Sequence, residues 1–288
     1  MELCPLISAT DLARRLADLP LRGQTVVVDC RFNLGDPDAG ERAWQQGHIP
    51  GAYYAHLDRD LSGLKTGRNG RHPLPDAAAF ERTLASWGVR PDTLVVAYDD
   101  AGGVFASRLW WMLKHWMGHA PAAVLDGGWQ HWLQIKGHQD THTPMARTSQ
   151  GTGSWAPHPS AVVSVEDVEQ SLATPERMQL LDARSPDRFQ GQNETLDPIG
   201  GHIPGALNRF FKDNLQSNGC FKPAARLKDE FIALLGTRPI TRVVHQCGSG
   251  VTACHNLLAM EVAGLPGSRL YPGSWSEWCA DLSHPMTR

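Results

Sequence analysis

The chain has 288 residues, with 27 basic and 30 acidic side chains and a formal charge of −3. That length favours two domains, each able to bury a substantial core. The balanced charge excludes a basic nucleic-acid stripe, and no apolar run approaches the roughly 18 residues of a membrane span. In chain order, "MELCPLISATDLARRL" lacks a basic region followed by an apolar core. It reads as the start of a folded domain rather than an export signal, so a cytoplasmic location is expected. Ser8, with Asp11 three residues on, has the form of a helix N-cap. "TVVVDC" and "TLVVAY" read as buried parallel strands, "AAFERTLASWG" (78–88) as a helix, and Trp110, Trp111 and Trp116 as core at near-helical spacing. Residues 137–161 are rich in Gly, Ser, Thr and Pro and have no apolar period, as in an exposed linker. Ser164 with Asp167, "QLLDA", "ARLKDEFIALLG" (225–236), "RVVHQ" and "ACHNLLAMEVAG" (253–264) then repeat the alternation. Strands alternating with helices imply an α/β fold with a largely parallel sheet.

The second half repeats the first. "ISATDLARRL" (7–16) matches "VSVEDVEQSL" (163–172), and the "VVD" core of 26–32 matches the "LLD" core of 180–189. "GHIPGA" stands at 47–52 and again at 201–206. "LVVAYDDAGGVFASRLWWML" (94–113) matches "RVVHQCGSGVTACHNLLAM" (242–260), and "DGGWQHW" (126–132) matches "PGSWSEW" (272–278). The five anchors keep their order, with spacing drifting only from 156 to 146 residues, which argues for duplicated domains. The division expected is 1–140 for the first domain, 141–160 for the linker and 161–288 for the second.

The six cysteines, Cys4, Cys30, Cys220, Cys247, Cys254 and Cys279, include no C-x-x-C pair, so reduced thiols are expected and no zinc site. Cys247 stands apart. It follows the strand "TRVVHQ" and precedes a helix that begins near Thr252, and Gly248, Ser249 and Gly250 follow it. Small residues let the backbone curl so that successive N–H groups face inward, and the helix N-terminus adds partial positive charge. Such a nest stabilises a thiolate, the form in which sulfur is nucleophilic. The other five cysteines are read as small buried hydrophobes. The matching loop of the first half, "YDDAGGV", sets Asp99 or Asp100 opposite Cys247 and has no thiol.

Two thiolate chemistries use such a loop. Phosphate-ester hydrolysis follows C-x5-R, whose Arg clamps phosphoryl oxygens; position 253 here is Ala253, which disfavours it. Sulfur transfer through a persulfide needs neither a metal nor an organic cofactor. The combination of "VVHQCGSGVTA", the doubled "GHIPGA", "DARSPDRFQG" and "YPGSW" resembles the tandem-rhodanese sulfurtransferases, over essentially the whole chain. The resemblance implies two rhodanese-like domains, each a mainly parallel sheet flanked by helices. It also implies an inert first domain and a catalytic second one.

"CGSGVT" (247–252) is similar to the loop of the mercaptopyruvate enzymes rather than to the basic loop of the thiosulfate enzymes. The expected donor is therefore 3-mercaptopyruvate, with thiosulfate as the alternative. The expected acceptor is cyanide or a thiol such as that of thioredoxin, and a non-catalytic sulfur-carrier module is the reading from another class. The resemblance implies Cys247 as nucleophile, with Gly248, Gly250, Val251 and Thr252 forming the loop. Arg188, in "PDRFQG", is implied to bind the donor carboxylate or the persulfide, while Arg184, in "DAR", is expected to support structure. Ser249, His72 in "GRHPLP" and Asp58 in "AHLDRD" are implied as a proton relay, with Asp60 a rival for Asp58. One departure stands out. Mercaptopyruvate enzymes have a second Arg before "GHIPG", and "QNETLDPIG" (192–200) has none, so a clamp is either missing or supplied by a residue such as Arg68 or Arg71.

Overall fold

The structure, a computed structural model, describes residues 4–145, 155–174 and 178–288. Residues 146–154 of the expected linker lie outside the described residues. The chain forms two compact units: Met1–Gly63, Pro75–His158 and Ser217–Cys220 make unit 1, and Leu64–Leu74, Pro159–Gln216 and Phe221–Arg288 make unit 2. The short segment Leu64–Leu74, which precedes the repeat boundary in sequence, thus belongs to unit 2.

In unit 1 the strands are β1 (Leu6–Ile7), β2 (Thr25–Asp29), β3 (Tyr53–Tyr54), β4 (Leu94–Tyr98) and β5 (Ala122–Leu125), arranged in the order β1-β5-β4-β2-β3. Every pairing is parallel. In unit 2, β6 (Gln179–Asp182), β7 (Leu207–Asn208), β8 (Val243–Gln246) and β9 (Arg269–Leu270) form a parallel sheet ordered β7-β6-β8-β9. Where unit 1 has β1 beside β5, unit 2 has a single parallel bridge from Val162 to Leu270. Every residue of β2, β4, β6 and β8 is buried, because helices cover both faces of a parallel sheet. This is why β2 and β4 read as nearly unbroken apolar runs, and β6 and β8 as shorter ones bounded by polar residues.

The expected helices form at Ala77–Ser86, Ala224–Leu235 and Thr252–Val262. Ser8 and Ser164 both cap their helices, and at Ser164 the box is complete, with Asp167 returning a bond to the Ser164 N–H. Trp110, Trp111 and Trp116 are all buried, the last in a π-helical turn, Met112–Trp116, that ends the helix Val104–Trp111. Among the described residues no helix is long and apolar enough to cross a membrane. All six cysteines are free. Two of them correct the expectation of burial: Cys4 is exposed and Cys220 partly so, since one lies ahead of β1 and the other in an irregular loop.

Candidate active site

The carboxyl ends of the strands carry the same polar set in each unit. Asp182, the last residue of β6, accepts from Arg184 Nε and Nη2 at 3.1–3.2 and 2.7 Å and from Gln246 Nε2 at 2.5 Å. Arg184 also donates to the Gly201 carbonyl at 2.7 Å and lies 4.9 Å over the Trp275 ring. In unit 1, Asp29 accepts from Arg31 and from the Tyr98 hydroxyl, Arg31 donates to the Gly47 carbonyl at 2.7 Å, and Arg31 lies 4.8 Å over Trp129. The repeated Asp-x-Arg, "GHIPGA" and Trp anchors are thus one structural brace made twice. Arg184 supports structure, as expected from sequence.

Cys247 follows β8 directly and is 2% exposed. Its N–H donates to Ser274 Oγ at 3.1 Å, its carbonyl accepts from Trp275 N–H at 3.0 Å, and the Gly248 carbonyl accepts from Ser276 N–H at 2.9 Å. Ser274 Oγ donates in turn to the Tyr271 carbonyl at 2.9 Å. The "YPGSW" segment therefore anchors the loop from beneath. Gly250 has φ +75°, and a Cβ there would stand 2.4 Å from the Pro272 carbonyl oxygen, so only glycine fits. Ser274 itself has φ +56°, a left-handed conformation that costs a non-glycine residue about 1–2 kcal/mol. Its counterpart Gly128 has the same φ of +56° without that cost. Sequence reasoning used "YPGSW" only as a motif and missed Ser274. The signal was the repeat, which sets a hydroxyl where the first half has glycine.

Unit 2 brings most of the sequence candidates together. His72 Nδ1 and Ser249 Oγ lie 2.7 Å apart, and both residues are buried. Val251 is buried and precedes the helix that Thr252 opens. A Cβ built on Gly248 would stand 2.7 Å from Arg71 Nη2 and 3.6 and 3.9 Å from Arg188 Nη2 and Nη1. Two guanidiniums therefore lie against the residue next to Cys247. Arg188 forms a bidentate pair with Glu194, at 3.0 Å (Nε–Oε2) and 2.8 Å (Nη2–Oε1), and Asp197 Oδ2 lies 3.5 Å from its Nη2. Arg71 donates to Asp197 Oδ1. Asp58 belongs to unit 1, where its N–H donates to His56 Nδ1 at 3.1 Å, while the rival Asp60 accepts from the His56 N–H at 2.7 Å.

The electrostatics set Cys247 among balanced charges. Burial opposes ionisation of Glu194, but the Arg188 hydrogen bonds outweigh it and hold its pKa below the ordinary range. Burial raises Asp197 against the pull of Arg71. Burial works against the charge of Arg184, and Asp182 more than restores it, with Glu194 and Cys247 adding to the effect. Burial pushes three buried or half-buried thiols away from ionisation. Burial lifts Cys279 and Cys220 to about 11 and Cys30 well above its ordinary value.

The first-half loop shows what such a cradle holds. Asp99, not Asp100, follows β4 as Cys247 follows β8. Its fully buried carboxylate accepts four backbone N–H bonds, from Ala101, Gly103 and Phe105 at 2.8 Å and from Ala106 at 2.9 Å. Burial raises its pKa and the four amides oppose that rise. Unit 1 therefore fills its own anion cradle, whereas unit 2 has a thiol at the same position.

The rhodanese-like domain family matches residues 8–135 and again 164–281. The chain belongs to the rhodanese family of sulfurtransferases. A Pseudomonas aeruginosa protein named "Probable 3-mercaptopyruvate sulfurtransferase" is 44% identical, over 99% of both chains. The 3-mercaptopyruvate sulfurtransferase of Homo sapiens is 35% identical, over 96% of this chain and 93% of that one. The thiosulfate sulfurtransferase of Mus musculus is 32% identical, over 95% and 91%. The crystal structure of a 3-mercaptopyruvate sulfotransferase from Escherichia coli superposes with a TM-score of 0.77 at 28% identity, covering 95% of this chain and 99% of that one.

Proposed function

We propose that this rhodanese takes sulfur from 3-mercaptopyruvate onto Cys247 and passes it to a thiol, such as that of thioredoxin, or to cyanide. The Cys247 thiolate attacks the donor's sulfur. An S–S bond forms, the donor's C–S bond breaks, and its electron pair leaves on carbon as the enolate of pyruvate. A proton then reaches that carbon, and the acceptor removes the outer sulfur and restores the thiolate. The observation that carries this reading is the Ser249–His72 hydrogen bond of 2.7 Å two residues from Cys247, in a loop with no basic side chain. Ser249 and His72 supply the proton path to the enolate, with Asp58 as the acid of the relay. Arg188 binds the carboxylate. Of the four amides at the register matching the Asp99 cradle, those of Ser249, Val251 and Ala253 face the thiolate and the persulfide, while that of Cys254 bonds the Val251 carbonyl. Six free cysteines suit a reducing, cytoplasmic setting.

Thiosulfate is the second reading, favoured by the two guanidiniums beside Gly248. Glu194 and Asp197 pair with them and leave no net positive charge for a dianion, which supports the monocarboxylate. Steady-state kcat/KM for the two donors tests the choice: a large preference for mercaptopyruvate is expected, and a preference for thiosulfate reverses it. Intact mass after donor addition tests the nucleophile. One added sulfur is expected on the wild type and none on Cys247→Ser, and equal addition to both would remove Cys247 from the reaction. Asp58→Asn is expected to lower kcat while Asp60→Asn spares it; the opposite pattern would assign the relay to Asp60.

A further inference from the structure

The segment before the second "GHIPG", "QNETLDPIG" (192–200), has no Arg and carries Glu194 and Asp197. The structure shows what those carboxylates hold. Their side chains are 4% and 2% exposed, while the guanidinium-bearing side chains of Arg188 and Arg71 paired with them are 21% and 28% exposed. The carboxylates are thus buried behind, and the cations stand in front. Arg71 spends Nη1 on Asp197 and turns Nη2 toward Gly248, 2.7 Å from the point where a Gly248 Cβ would be. Nη2 of Arg188, which bonds Glu194, and its Nη1 lie 3.6 and 3.9 Å from the same point.

The backbone that carries Arg71 is fixed. Its N–H donates to Ser276 Oγ at 3.0 Å. The preceding Gly70, at φ +80°, approaches Gly273 so closely that a Cβ would stand 2.7 Å from the Gly273 carbonyl oxygen. Arg71 is therefore held against the same segment that anchors the Cys247 loop.

We infer that Arg71 is the second guanidinium of the donor site, binding the donor's carboxylate together with Arg188 beside Gly248. The inference rests on the mercaptopyruvate reading above. Two guanidiniums with buried carboxylates behind them are preorganised, so little side-chain entropy is lost when a carboxylate binds in front.

The test compares 3-mercaptopyruvate with mercaptoacetone, which keeps the thiol and ketone and lacks the carboxylate, in the wild type, Arg71→Lys and Arg71→Ala. Thermal melts establish that each variant is folded. In Arg71→Ala, KM for mercaptopyruvate is expected to rise roughly 10- to 100-fold, as for loss of a charged hydrogen bond, with kcat little changed. Kinetics with mercaptoacetone should change less than about threefold, and Arg71→Lys, which keeps charge but not the planar fork, should fall between. Equal losses with both donors, or none with either, would overturn the assignment. If Arg71→Ala does not fold, Arg71→Lys carries the comparison, and an unchanged KM there for mercaptopyruvate counts against Arg71. A wild type that gains nothing from the carboxylate and prefers thiosulfate overturns the donor reading and this inference together. A wild type that prefers mercaptopyruvate, with the preference intact in Arg71→Ala, overturns this inference alone.

Discussion

Two glycines follow Cys247 within three residues, and they do different things. A methyl group on Gly250 would meet the Pro272 backbone oxygen at 2.4 Å in a left-handed conformation, and neither constraint can relax without moving the loop. A methyl group on Gly248 would meet no backbone, only the ends of the Arg71 and Arg188 side chains, and Arg71, the one that is too close, ends a flexible side chain that can shift. Gly250→Ala should therefore lose more than about 2 kcal/mol of stability in denaturant unfolding, with activity falling in step. Gly248→Ala should unfold at nearly the wild-type midpoint while raising KM for the donor. Equal stability losses in the two would contradict the geometry. Ser274 belongs to the same argument, because its hydroxyl accepts the Cys247 N–H at 3.1 Å and is fully buried. Ser274→Ala keeps the strained backbone and loses the acceptor, so a loss of about 1–3 kcal/mol is expected, measured by the same unfolding assay. A variant as stable as the wild type would show that the bond contributes nothing.

The working element is a strand, a curled loop and a helix, and the chain builds it twice. In unit 1 the curl is closed by Asp99, whose carboxylate satisfies four amides at once. Asp99→Ala would leave those donors buried and unpaired, and a loss above about 3 kcal/mol is expected on chemical unfolding. A loss under 1 kcal/mol would mean that water or backbone movement satisfies them. Much of this element was legible beforehand. Strand ends, the helix start at Thr252 and the thiol between them follow from local apolar pattern and glycine placement. The supports were not. Ser274 lies 27 residues beyond Cys247, and Asp197 reaches Arg71 across 126 residues. No periodicity links such pairs, so "QNETLDPIG" could be read as lacking an Arg but not as holding two of them.

At the scale of the whole chain the duplication was legible because five anchors recur in order, and the brace of Asp, Arg and Trp explains why those anchors recur. The membership of Leu64–Leu74 in unit 2 was not legible, because position in the repeat gives no sign of where an irregular segment packs. Each unit also holds buried histidines in its framework. His245, inside β8, is fully buried, and burial lowers its pKa from 6.5 to about 3. Burial likewise lowers His119 in unit 1. The unfolded chain takes up the His245 proton near pH 6.5 and the folded chain only near pH 3, so protons bind preferentially to the unfolded state between those values. Stability is thus fully present above pH 6.5 and falls as pH drops through that window, at a slope approaching 1.4 kcal/mol per pH unit from this one group. Carboxylates titrate in the lower part of the window, so the wild type must be compared with His245→Gln at each pH. By pH 5 the wild type should have lost roughly 2 kcal/mol more than the variant, relative to pH 7.5, in urea midpoints converted with a common m-value. Parallel curves for the two proteins would show that His245 is protonated, or paired, in the folded state.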